Sequence, residues 1–250
     1  MGAYFKSEYL KIKHTFIEKL IFIAPLIAIA LSFILTTRYF AIDSYNWWYT
    51  MLFPGTISIL CTSVASKDKK MKNMAVLSMP LDLKKVWIAK ILVCVCMISF
   101  AVIVQLIGTV FIGNVLGIGK LGAIQAVNAV FASIILIITF LWEIPLCMFL
   151  GSKIGMFATV LINIISSFIL GVLLAINDVL WMIPYAVPSR LMIPIIKVLP
   201  NGLRAIPESQ TFKPELLSNS VIIPGIIITL ILFVILSLLT ARWYRSQEAR

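Results

Sequence analysis

Charged residues fall along this chain in clusters, and long uncharged apolar stretches run between them. Lys19 and Arg38 bracket 18 residues, Asp43 and Lys67 bracket 23, and Lys90 and Lys120 bracket 29. Lys153 and Asp178 bracket 24, and Glu215 and Arg242 bracket 26. Between Lys120 and Lys153 a further run is interrupted only by Glu143. A helix crossing the hydrocarbon core needs about 20 mostly apolar residues. The pattern therefore predicts six spans, near residues 19–38, 47–66, 87–113, 122–150, 154–176 and 219–242. A lipid-facing barrel would need short alternating strands, which are absent. The first run follows a long charged segment without a small-residue cleavage site, so it reads as a retained helix rather than a secretory signal.

Four regions depart from a plain span. Ahead of the first, Phe5, Tyr9, Ile12 and Phe16 recur at helical spacing, while Lys6, Lys11 and Lys13 point elsewhere. Residues 4–18 thus predict an amphipathic helix lying in the inner headgroup layer, either as an anchor or as an elbow moving with the first span. The loop 66–86 opens with a lysine cluster and then offers Met71, Met74, Ala75, Leu77, Leu81, Leu83 and Val86. Topology alone would be satisfied by the lysines, whereas a short helix docking into a partner's groove needs the apolar residues. The segment 177–218 holds six of the eleven prolines and yet is rich in Trp, Met, Ile and Leu. Short broken helices re-entering the outer membrane face fit both features. Glu143 lies within a span beside Pro145. A carboxylate there costs about 2.5–3.5 kcal/mol on insertion scales, so it should face a cavity or a polar partner, and Pro145 should kink the helix.

Composition agrees with this reading. The chain is 61% hydrophobic and 12% charged with a mean hydropathy of +1.06, too apolar for a soluble fold of 250 residues. The net charge of +11 is explained by its distribution. With the N-terminus inside, only Arg38, Lys120, Arg190, Lys197, Arg204 and Lys213 of the 21 basic residues fall outside. The positive-inside rule then puts both termini in the cytosol, with no need of nucleic acid as a partner. Tyr39, Phe40, Tyr45, Trp47, Trp48 and Tyr49 gather at the outer end of the first two spans. They read as an interfacial belt, with Trp47 and Trp48 as candidate ring contacts for a cationic amphipathic substrate.

Little points to catalysis. The chain has one histidine, His14, and four cysteines, all within spans and without a CxxC pair. It has neither an HExxH nor a GxSxG motif. The glycine-rich stretch 113–120 lacks phosphate-loop spacing and has Leu121 in place of the required Ser or Thr, so it reads as a turn. No cofactor or metal site is expected, and any ATP hydrolysis would belong to another subunit.

The segments YFKSEYLKIKHTFIEKLIFIAPL, YNWWYTMLFPGTISI and KDKKMKNMAVLSMPLDLKKVWIAKIL, together with Leu199-Pro200-Asn201-Gly202-Leu203, resemble ABC-2 type permeases, and among them the permease subunits of lantibiotic self-protection transporters. The resemblance implies an all-α integral membrane protein forming a single domain over residues 1–250, in a bacterial cytoplasmic membrane. It implies two permeases, often different ones, above two copies of a cytosolic ATPase that binds ATP and Mg. On that analogy the 66–86 loop is the coupling segment, with Lys72, Asn73, Leu77, Pro80, Leu81 and Asp82 as candidate ATPase contacts. Pro200, Asn201 and Gly202 are candidates for an external gate, and Glu143 for an intramembrane polar site. The implied activity is export of lantibiotic-type antimicrobial peptides, for immunity or resistance. Export of another amphipathic drug or lipid-linked compound, and a non-transporting sensor or scaffold, remain the alternatives.

Overall fold

A computed structural model describes residues 1–68, 81–115 and 117–246 of the chain. Helix α1 (Gly2–Ile12) is followed by α2 (Phe16–Leu35). The amphipathic pattern predicts one helix to residue 18, but α1 stops at Ile12 for a local reason. His14 adopts a left-handed φ of 61°, its N–H donates to Glu18 Oε2 at 2.6 Å, and the Thr15 hydroxyl donates to the Ile12 carbonyl at 2.6 Å. Phe16 consequently belongs to α2 and is exposed, while α1 buries Glu8 and Ile12 and packs Phe5 and Tyr9 against the core.

The next span is continuous from Thr37 to Ser66. It comprises α3 (Phe40–Trp47), a π turn (Trp48–Leu52) in which the Phe53 N–H reaches the Trp48 carbonyl, and α4 (Phe53–Ser66). Then come α5 (Leu83–Val115), α6 (Ala126–Phe140), α7 (Glu143–Ile154), α8 (Met156–Leu174), α9 (Val187–Ile196) and α10 (Ile222–Arg245). Among the described residues five helical stretches are long and apolar enough to cross a membrane, or six if α6 and α7, bent by 43° at their junction, form one span. The bend has a backbone cause. Pro145 has no N–H for the Leu141 carbonyl, and the Ile144 N–H takes that acceptor instead at 3.1 Å, in a tighter turn.

The 37–66 stretch runs through the middle of the bundle. Its most apolar window is 72% buried, against 22% for α8 and α10, which lie at the edge. Large apolar side chains such as Ile34, Phe157 and Ile223 point outward from α2, α8 and the start of α10, as a lipid solvent permits. Helix α4 packs closely against α7, where a Cβ on Gly151 would collide with the Thr62 side chain. Small residues at such a crossing let two backbones approach and gain dispersion contacts.

The apolar content of 177–218 goes largely into the bundle. Nine of the ten residues of α9 are buried, and the helix packs against α6, α8 and α10. The chain then turns back through an isolated bridge between Val198 and Arg204, and two 3-10 turns lead into α10. Buried Arg190 holds that return, donating to the Leu216 carbonyl at 2.6 Å and to Glu215 at 3.3 Å. At the opposite end of the bundle, α1, the start of α5 and the end of α10 meet. Trp87 stacks on Tyr244 at 4.6 Å and donates its indole N–H to Thr240 at 2.9 Å. The two ends of the described chain therefore lie at the same end of the bundle.

Candidate functional site

Where α1 meets the bundle, four charged side chains close into one neutral cluster. Lys90, on the second turn of α5 and 0% exposed, places Nζ 2.6 Å from Glu8 Oε2 and 2.8 Å from Asp68 Oδ2. Its third hydrogen reaches the Val64 carbonyl at 3.4 Å, so every donor on the ammonium is used. Lys11 completes the ring, 2.6 Å from Glu8 Oε1 and 2.9 Å from Asp68 Oδ1. Burial acts to raise the Asp68 carboxyl, but Lys90 and then Lys11 overcome it and hold the group below its ordinary range. Asp68 follows α4 by two residues, and Lys90 lies about two turns into α5. The cluster thus ties α1 to both ends of the 66–86 loop.

Of the candidate coupling residues, Lys72, Asn73, Leu77 and Pro80 lie outside the described residues. Leu81 is 36% exposed, and Asp82 caps α5 by accepting the Lys84 N–H at 3.0 Å and pairs with Lys85 at 3.6 Å. The cluster beside them was not singled out by sequence reasoning. One signal existed: Lys90 stands inside the predicted 87–113 span, and a cation there demands a partner. What could not be read is that the partners come from positions 8 and 68, far apart in the chain.

Glu143 opens α7 and is fully buried. Its Oε2 accepts from Asn163 Nδ2 on α8 at 2.7 Å, and the same amide nitrogen reaches the Pro54 carbonyl at 3.1 Å. The Tyr185 hydroxyl donates to Asn163 Oδ1 at 3.0 Å, and its ring meets Trp142 edge-on at 4.7 Å. Glu143 therefore has a polar protein partner in Asn163, whose further bonds join α4, α7, α8 and the turn before α9. Its Oε1 has no partner among the described residues. Asn163 and Tyr185 were not anticipated, although an Asn within an otherwise apolar span was visible.

At the far end the structure brings Trp47 and the 200–202 turn together and sets Trp48 apart. Trp48 is buried and stacks on Phe53 at 4.9 Å, so its ring faces the core. Trp47, half-buried, lines a basin of about 440 Å³ with Thr36, Tyr39, Asp43, Asn46, Asn201 and Gly202. The Leu203–Ser209 side closes it through Leu203, Arg204, Ile206 and Ser209. Asn46 donates to the Pro200 carbonyl at 3.4 Å and to the Tyr49 hydroxyl at 2.9 Å, tying α3 to the turn. Asn201 braces that turn by accepting the Leu203 N–H at 3.1 Å and donating to Thr211 at 3.2 Å. Gly202 has a φ of +84°, a left-handed conformation that other residues adopt at a cost.

Among the described residues no three His, Cys, Asp or Glu side chains stand together as a metal site would require. Comparison with family models, with curated proteins and with solved structures finds no match. The class the fold defines is a multi-pass all-helical membrane protein.

Proposed function

We propose that this chain is the membrane-spanning permease subunit of an ABC exporter that expels lantibiotic-type antimicrobial peptides from a bacterial cytoplasmic membrane. In this reading both termini and the 66–86 loop are cytosolic. ATP and Mg are bound by a separate ATPase, present in two copies, and a second six-span permease completes the pore. The observation that carries the reading is the neutral cluster of Glu8, Lys11, Asp68 and Lys90. A loop pushed by a partner must hand its displacement to the spans, and a buried, fully hydrogen-bonded joint transmits movement without slipping. Here the joint links both loop ends to α1, so a displacement of the loop moves α4, α5 and the interfacial helix together.

Affinity purification from native-host membranes in mild detergent, with mass spectrometry of the retained proteins, tests the class. A P-loop ATPase and one further six-span protein are expected. Recovery of this chain alone, with the ATPase expressed, would instead mark a sensor or scaffold. The substrate is tested by deletion, which should raise sensitivity to lantibiotics. Unchanged sensitivity together with export of an unrelated drug would transfer the reading to a different amphipathic cargo.

A further inference from the structure

The basin at the far end of the bundle has the features of a binding site of defined chemistry. Its walls are preformed: the turn is closed by Leu199 N–H on the Leu203 carbonyl at 2.8 Å and by Gly202 N–H on Leu199 at 2.9 Å. Ala205 N–H on the Lys197 carbonyl at 2.9 Å fixes the segment leading out. A preformed site spares its ligand the cost of ordering the loop. At about 440 Å³ the space suits one or two side chains rather than a whole peptide. One side is aromatic and aliphatic, from Trp47, Tyr39, Leu203 and Ile206. Asp43, half-buried, supplies the one carboxylate of the lining. Its hydrogen-bonding neighbour is Thr36, and among the described residues no cation pairs with it within 4 Å. Arg204 is exposed on the lining and also borders a neighbouring basin with Lys197, Gln125 and Asn128. The Cβ position of Gly202 lies 3.8 Å from Asp43 Oδ1, so a side chain there would occupy space above the carboxylate.

An unpaired carboxylate beside aromatic faces selects a cation on an apolar stem, because ring quadrupole and carboxylate attract the same charge. We infer that this basin binds a lysine side chain of an extracellular cationic amphipathic peptide, with Asp43 as the counter-charge and Trp47 and Tyr39 along the aliphatic stem. The inference rests on the exporter reading for the source of the peptide, while the binding itself requires neither nucleotide nor partner.

The test uses the full chain in phosphatidylcholine nanodiscs and a fluorescent, N-acetylated peptide of alternating lysine and leucine, read by anisotropy. Asp43→Asn is expected to weaken binding about tenfold, with Asp43→Glu recovering most of it. Arg204→Gln removes a competing positive charge from the lining and should raise affinity, and acetylating the lysines should abolish the signal above that of empty discs. Trp47→Leu, at a half-buried rim position, is expected to weaken binding about threefold and serves if Asp43→Asn fails to elute as a single species. Equal affinity of the parent protein and the variants overturns the site. Loss with Arg204→Gln alone overturns it in favour of an anion, such as a lipid phosphate. If an ATPase co-purifies and binding ignores Asp43, the exporter reading stands without this site. If binding depends on Asp43 and no ATPase is found, the site stands without the exporter.

Discussion

Lys90 is fully buried against two carboxylates, and removing one member of such a pair leaves the others uncompensated. Lys90→Met keeps the stem length but leaves Glu8 and Asp68 beside Lys11 alone. We expect a loss of about 3–5 kcal/mol in reversible unfolding from mixed micelles. A cost under about 1 kcal/mol would mean that solvent already enters the cluster. Acid should expose the same joint. Because the folded state holds the Asp68 carboxyl below its ordinary range, the group contributes stability above about pH 4. That contribution is lost as pH falls through the lowered value. Thermal stability in detergent should therefore drop below about pH 4, and Asp68→Asn should shrink that acid-sensitive part. An equally steep acid loss in the variant would assign the effect to other carboxylates.

Between elements, the contact of α4 with α7 depends on the missing side chain of Gly151. Gly151→Val places two methyls and a Cβ against the Thr62 side chain, which already fills that space. Overpacking of this kind costs about 1–3 kcal/mol, so the variant should show a lower melting temperature and weaker helix association in detergent. Gly151→Val together with Thr62→Ala should recover part of it, and failure to recover would place the strain elsewhere. The α6–α7 bend was legible from Pro145, since a residue without an N–H leaves a carbonyl that must find another donor. The length of α1 was less so. Hydrophobic period alone carries Phe16 into the same stripe, and only the pairing of His14 N–H with Glu18 shows why the chain turns first.

For the whole molecule, six crossings put α1 and the end of α10 on one side of the membrane, and five put them on opposite sides if the bundle loops back at α6–α7. The pairing of Lys90 with Glu8 and the stacking of Trp87 on Tyr244 bring both to one end. In a variant lacking the native cysteines, Lys13→Cys and Ser246→Cys should both resist a membrane-impermeant maleimide in intact cells. Glu208→Cys, on the exposed return at the opposite end of the bundle, should react. Labelling of position 246 with protection of position 13 would leave an odd number of crossings and contradict the positive-inside orientation.

Apolar run lengths and the spacing of charge were enough to predict a helical membrane bundle, its approximate spans and the departures from a plain span at residues 4–18, 143 and 177–218. These features are local: a stretch of about 20 apolar residues has few places to go but lipid, whatever its neighbours do. Tertiary structure decided which polar groups meet. Glu8, Asp68 and Lys90 come from three distant segments, as do Glu143, Asn163 and Tyr185, and Asp43 and Trp47 reach the 200–206 turn across more than 150 residues. Such pairings depend on how helices rotate and cross against one another, which is set by the packing of facing side chains and leaves no period in the chain to read.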